Sequence, residues 1–264
     1  MTLRRRLKYI IYNFVPGLAG RFPYYGTRVH FPPGAPAFRG ICEHGGFEAE
    51  IIDRLVTLAR PGTTVVDVGA NIGLMAIPVL RRHATCRVVS FEPSPNSLPY
   101  LERTVQTSGF ADRWTIVGKA LAAATGTLDF AVGRPADALF EGFGSASRIA
   151  GARLIKVPVS TVDDEWAALG QPPVSVLKID VEGAEYGVLE GARQMVRACH
   201  PAVLLEWHQP YLAHFGTSPD ALLSWSREHG MRPFTVPAGV PVDDARTLAV
   251  QMMNCSNYLL LPPD

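Results

Sequence analysis

The sequence has little of several things that would place it at once. Cysteine is sparse: Cys42, Cys86, Cys199 and Cys255 are the only four in 264 residues. None sits in a C-x-x-C pair, which argues against a zinc ribbon or a thioredoxin-type motif. They read as reduced, largely buried thiols of a cytoplasmic protein. Net charge is nearly absent, with 25 Lys and Arg against 24 Asp and Glu. The concentrated positive field that a nucleic-acid partner needs is therefore missing. No apolar run approaches the roughly 20 residues of a spanning helix, so a soluble protein is expected. Internal repeats are lacking too. What is present is core material, 47% hydrophobic against 19% charged, the balance of a chain that folds around a sizeable interior. The length suits one α/β domain with a decorating segment. A monomer or a homodimer would fit equally.

Arg4, Arg5, Arg6 and Lys8 precede the apolar stretch Tyr9 to Leu18, the outline of a signal peptide. Asn13 and Pro16 interrupt it and no A-x-A site follows, so the pattern predicts an N-terminal helix packed on the domain. A basic amphipathic segment touching a membrane surface is the alternative. Residues 16–46 are rich in proline, glycine and aromatics. They predict an irregular arm or a short hairpin, and a candidate lid. Residues 1–46 thus form an arm, and the main domain is expected over 47–264.

From Phe47 the pattern changes. Ile51, Ile52, Leu55, Leu58 and Ala59 recur at helical spacing until Pro61-Gly62. Strands are then expected over 63–68, 87–91, 114–117, 174–179 and 202–205. Helices are expected over 72–82, 97–107, 184–198 and 220–228. Residues 128–132 and 154–159 read as further strands around a glycine-rich loop, and 231–236 with 257–261 as a terminal antiparallel pair. Such alternation predicts a Rossmann-like α/β fold, its sheet mainly parallel with a C-terminal antiparallel strand and helices on both faces. Ligands of such sheets bind at the carboxyl ends of the strands.

Two strand ends there carry chemistry. Val65-Val66-Asp67-Val68-Gly69-Ala70-Asn71-Ile72-Gly73 reads as a strand, a tight glycine turn and a helix start. Such a turn lets a ligand approach the backbone and offers it free N–H groups. The G-x-G-x-x-G that brings pyrophosphate close is missing. The strand carries an acid, Asp67, which suits a ligand with a cationic amine and a sulfonium and no phosphates. The next strand ends in Phe91-Glu92-Pro93, where an acid can accept hydrogen bonds from both ribose hydroxyls.

These segments resemble the FkbM family of methyltransferases. So do Lys178-Ile179-Asp180-Val181-Glu182-Gly183-Ala184-Glu185 with Leu189-Glu190-Gly191-Ala192, and Val159-Ser160-Thr161-Val162-Asp163-Asp164. The resemblance covers about residues 60–207. It implies a class I methyltransferase fold, S-adenosylmethionine as cofactor, and methyl transfer to a hydroxyl of a sugar, polyketide or similar small molecule. By match to the family pattern, Asp67, Gly69, Asn71 and Gly73 would line the methionine end, and Glu92, followed by Pro93, would hold the ribose. The turn Gly118-Lys119-Ala120 would lie near the adenine, although Lys119 departs from the small polar residue expected there.

Val174–Asp180 ends in an acid, and the next strand ends at Glu206, followed by Trp207-His208. Parallel neighbours would set Asp180 and Glu206 side by side where the methyl should lie. A protonated alcohol is a poor nucleophile, so either a base or a metal ion is needed. Three readings stand. His208 is the general base, oriented by Asp180 or Glu206. Alternatively Asp180 and Glu206, with or without His208, hold magnesium or manganese, or Asp180 caps the following helix. Glu182 and Glu185 open that helix, Gly183 admits the cofactor, and Lys178 pairs with one of these acids. Trp207, Tyr211 and Phe215 are a candidate acceptor wall, and the loop 142–147 a candidate lid. Transfer to nitrogen or carbon, and nicotinamide-dependent oxidation on the same fold, are the alternatives.

Overall fold

The computed structural model describes residues 2–134, 141–143, 149 and 151–262. The arm folds as α1 (Leu3–Phe14), a hairpin of β1 (Arg21–Tyr24) and β2 (Thr27–His30), and α2 (Pro36–His44). The hairpin follows from the turn residues. The helix α2 is unexpected in so glycine- and proline-rich a stretch; it ends on the left-handed Gly45 at φ 90°. In α3 (Ala49–Leu58), Ile51, Ile52 and Leu55 are buried at the spacing that predicts the helix.

Strand and helix then alternate: β3 (Thr64–Val68), α4 (Ala76–Arg82), β4 (Arg87–Phe91), α5 (Leu98–Ser108), β5 (Trp114–Val117). Four strands follow that do not join the main sheet: β6 (Ala120–Leu121), β7 (Gly126–Val132), β8 (Gly142–Phe143) and β9 (Arg153–Ser160). They form a side sheet in the order β6-β9-β7-β8, with β7 antiparallel to β9. The chain continues through α6 (Val162–Ala168), β10 (Val174–Ile179), α7 (Glu185–Glu190), α8 (Arg193–Cys199) and β11 (Ala202–Glu206). It ends with α9 (Gln209–Leu212), α10 (Ala221–Glu228), β12 (Arg232–Thr235), α11 (Ala245–Gln251) and β13 (Asn257–Leu261).

The main sheet has the order β12-β13-β11-β10-β3-β4-β5. It is parallel from β11 through β5, with β13 antiparallel to both of its neighbours. After β5 the chain returns to lay β10 on the other side of β3. The strand order reverses there, and a crevice opens beyond the carboxyl ends of the two strands. Alternate strand residues face opposite ways. Val65, Val88, Val176 and Leu204 join one apolar cluster together with Phe22, Phe31 and Phe38 of the arm. Val66, Val89, Leu177 and Val203 join the other, with Trp207, Trp225 and Tyr258. Among the described residues no helix is long and apolar enough to cross a membrane.

Two helices differ from expectation. The helix expected from Ile72 starts at Ala76, because Asn71 at φ 49° and Gly73 at φ 86° are left-handed and cannot lie in an α-helix. The helix expected over 184–198 is two. The Ala122 carbonyl lies 2.2 Å from where a Cβ on Gly191 would stand, and the Asp163 carboxylate accepts from Gln194 N (2.9 Å) and Met195 N (2.8 Å). Those amides start a new helix with an external cap.

Candidate active site

The turn after β3 is forced by its neighbours. Gly69 has φ 77°, and a Cβ there would lie 1.8 Å from the Asp180 carbonyl oxygen. Only glycine lets β3 and β10 end so close together. The amides of Gly69 and Ala70 donate to the Phe91 carbonyl at 3.0 and 3.1 Å. The next amide, Asn71, donates to Glu92 Oε2 at 2.8 Å, and Ser94 N donates to Glu92 Oε1 at 2.8 Å. Glu92 is 5% exposed. Burial pushes its carboxyl up to about 7, against the pull of those two amides. Gly73 does not face the crevice: its missing side chain makes room for Trp114 and Leu101.

Beyond these turns lies a cavity of about 270 Å³. Its wall includes Gly69, Asn71, Glu92, Pro93, Lys119, Ala120, Asp180 and Glu206, brought together from the ends of five strands, β3, β4, β5, β10 and β11. Six carboxylates line it, those of Glu48, Glu92, Glu141, Asp180, Glu182 and Glu206, against the ammonium groups of Lys119 and Lys178. Lys119 is held to the side, donating to Glu165 Oε1 at 2.6 Å.

Three predicted residues do not line the cavity. Asp67 is fully buried beneath it, with Lys178 Nζ at 3.4 Å. Lys178 also lies 3.4 Å from Asp180 Oδ2 and donates to the Gly69 carbonyl at 3.2 Å. It therefore pairs with Asp67 and Asp180, not with Glu182 or Glu185. Burial works to lower the Lys178 ammonium, but Asp180, Asp67 and Glu48 outweigh it and hold it above its ordinary value. Gly73 is the second residue outside the cavity. The third is His208, at the start of α9, with its ring edge-on to Tyr211 at 4.5 Å and its buried Nδ1 without a hydrogen-bond partner among the described residues.

The turn after β10 is organised by Glu185, whose Oε1 accepts from Val181 N (3.0 Å) and Gly183 N (3.1 Å). Burial pushes this carboxyl up to about 7. Glu185 thus ties down the turn that leads into α7, and Asp180, offered by the sequence as that helix's cap, faces Lys178 instead. Gly183 makes room for the Tyr211 backbone, not for a ligand: a Cβ there would meet its carbonyl at 2.8 Å. Of the expected acceptor wall, Tyr211 lines the cavity. Trp207 is core, donating to the Pro219 carbonyl at 3.0 Å. Phe215 is an exposed ring edge-on to Phe143. Of the candidate lid, Gly142 and Phe143 line the cavity, and residues 144–147 lie outside the described residues.

Glu206 stands in register with Asn257 at the end of β11. Burial pushes its carboxyl up to about 9, helped by repulsion from Asp180, Glu182, Glu185 and Glu48. Among the described residues no group of three or more His, Cys, Asp or Glu side chains is placed to hold a metal ion. The cation beside Asp180 is already Lys178.

Sequence reasoning missed Glu48 and Glu141. Glu141 accepts from Asn96 Nδ2 (2.6 Å), from Gly133 N (2.9 Å) and from the Ser94 hydroxyl. It ties Gly133, just after β7, to Ser94 and Asn96 beside the Glu92 turn. No periodicity or motif marks it, since its partners lie up to 47 residues away.

The Methyltransferase FkbM domain model matches residues 67–233, well over half of the chain. Methyltransferase sdnD of Sordaria araneosa is 28% identical over 153 residues, covering 48% of this chain and 59% of its own. AMB antimetabolite synthetase AmbE of Pseudomonas aeruginosa is 27% identical over 218 residues, 70% of this chain and 10% of its own. The chain thus spans little more than half of the first relative and a tenth of the second. Among solved structures, methyltransferase FkbM from Methylobacillus flagellatus KT aligns over 80% of this chain and 50% of its own, at 18% identity and a TM-score of 0.47. With the domain match running from Asp67 past the ends of β4, β10 and β11, the chain belongs to the FkbM methyltransferase family.

Proposed function

We propose that the chain is an S-adenosylmethionine-dependent O-methyltransferase acting on a hydroxyl of a small molecule, sugar or natural product. The observation that carries this reading is the cavity at the strand-order reversal, lined by six carboxylates and two ammonium groups. Even with Glu206 protonated, five acids face two ammonium groups, and an excess of negative charge in a partly desolvated crevice favours a cationic ligand. S-adenosylmethionine, when bound, supplies a methyl group on a good leaving group, so the chain's task is to position and deprotonate the acceptor.

Each Glu92 oxygen accepts one amide, which leaves further lone pairs for the two ribose hydroxyls. The Lys119 stem and Ala120 wall the adenine side. Asp180, its charge balanced by Lys178, faces the methionine end. Glu206 takes the proton of the acceptor. With its carboxyl near 9 it is protonated in the empty cavity. An arriving cation replaces repulsion with attraction and lowers it toward neutrality, where a general base works best. His208 stands behind Tyr211 and orients that ring. A residue that accepts a proton suits an alcohol, which must lose one; this favours oxygen over nitrogen as the acceptor.

The test is calorimetric titration with S-adenosylhomocysteine, with Glu92→Ala and with NAD as the control ligand. The wild type should bind the homocysteine product and not NAD. Loss of one charge-assisted contact should weaken binding by about tenfold or more in the variant. A folded wild type that ignores the product, or prefers NAD, would overturn the reading.

A further inference from the structure

The helix α1 carries its apolar residues on the wrong side for an ordinary surface helix. Its inner face packs on the arm. Tyr9 stacks on Phe38 at 6.2 Å and Tyr12 meets the same ring edge-on at 6.1 Å. Buried Asn13 accepts from Gly34 N at 2.6 Å, and Arg5 donates to the Glu43 carbonyl at 2.9 Å. At 3.6 residues per turn, the opposite face is Leu3, Leu7, Ile10 and Phe14. These are 75%, 50%, 50% and 67% exposed. Arg4 and Arg6, both exposed, flank this stripe on either side. A surface helix normally turns such residues inward, and a continuous exposed stripe of them marks a contact surface.

The charge of the arm says what it contacts. Residues 1–42 contain seven Lys and Arg and no acid; the first is Glu43. We propose that α1 lies in the surface of an anionic phospholipid bilayer. Leu3, Leu7, Ile10 and Phe14 enter the acyl boundary, and Arg4 and Arg6 meet the phosphates. Its 12 residues extend about 18 Å, short of a hydrocarbon core of roughly 30 Å, so the helix lies along the surface. A second copy of the chain is the competing occupant, and charge opposes it. Pairing two such stripes would set Arg4 and Arg6 against their counterparts, with no acid in α1 to neutralise them. Lipid phosphates supply that negative charge. The proposal is independent of the methyl-transfer reading.

The experiment is co-sedimentation of the full chain with phosphatidylcholine vesicles, with and without phosphatidylserine, at low and high salt. Binding is expected on the serine-containing vesicles and should fall with salt. Leu7→Asp with Ile10→Asp should weaken it by about tenfold or more and change the thermal midpoint little, because half of each side chain is already exposed to water. Arg4→Glu with Arg6→Glu, which leaves the apolar stripe intact, should remove the preference for phosphatidylserine, a loss of about tenfold or more. Failure to bind either vesicle, or binding that survives both double variants, overturns the proposal. So does a wild-type dimer in solution that Leu7→Asp with Ile10→Asp converts to a monomer, which would give the stripe to a second copy.

Discussion

Glu206 ends β11 facing Asp180 and Glu182, with Lys178 committed to the Asp67–Asp180 pair. Its carboxyl sits near 9 when folded, against 4.5 as the ordinary value. The folded state therefore holds a proton that the unfolded chain has released over that interval. Its contribution to stability is complete below about pH 4.5 and declines as pH rises toward 9, by at most about 1.4 kcal/mol per pH unit. Glu206→Gln keeps the protonated shape without the titration. Urea unfolding across this range should show a flatter pH profile, with the variant more stable than the wild type at pH 8.5 by about 1–3 kcal/mol. Parallel profiles for the two proteins would mean that Glu206 titrates normally. If Glu206 is the base, the same variant should lose about 10²- to 10⁴-fold in turnover while still binding the homocysteine product. Full turnover would return the role to His208.

The elements hold together through contacts that skip along the chain, and α8 shows it. Its first turn is capped from α6 by Asp163, which accepts from Gln194 N and Met195 N. Asp163→Ala leaves both amides unpaired and should cost about 1–2 kcal/mol in thermal unfolding; an unchanged midpoint would show that water caps them equally well. The same device explains where the sequence was legible. Buried parallel strands such as β3 and β10 read as continuous apolar runs, and a strand's end fixes what its terminal residue faces. Glu92, Asp180 and Glu206 could therefore be named from their positions alone. The break at Gly191 could not, because it is imposed by the Ala122 carbonyl some seventy residues earlier. Nor could the left-handed Asn71 that delays α4, the antiparallel side sheet of β7 and β9, or Glu141, which reaches Glu92's turn from a connection without periodicity. Lys178 was misassigned for a related reason. Sequence proximity favoured Glu182 and Glu185, whereas strand register sets it opposite Asp67.

At the scale of the whole molecule, the arm is both the most basic part of the chain and a layer of its core. It leaves eighteen basic and twenty-three acidic residues to the rest of the sequence, yet it sends Phe22, Phe31 and Phe38 into the cluster that covers one face of the main sheet. Phe38 is fully buried, its ring 4.4 Å from Phe31 and 4.7 Å from Phe22, and Tyr9 and Tyr12 of α1 rest on it. If the arm were an appendage, weakening this ring would loosen α1 and the hairpin and leave the sheet alone. Because Val65, Val176 and Leu204 share the cluster, the loss should pass to the whole domain. Phe38→Ala should therefore cost about 3–5 kcal/mol, and the transition should move as one. Trp207 and Trp225 lie in the other cluster, on the opposite face of the sheet. Their fluorescence should fall at the same lowered denaturant midpoint as the far-ultraviolet circular dichroism. An indole signal that keeps the wild-type midpoint while the dichroism drops earlier would show the arm melting by itself, and would make residues 1–46 a separable layer on a domain that begins at Phe47.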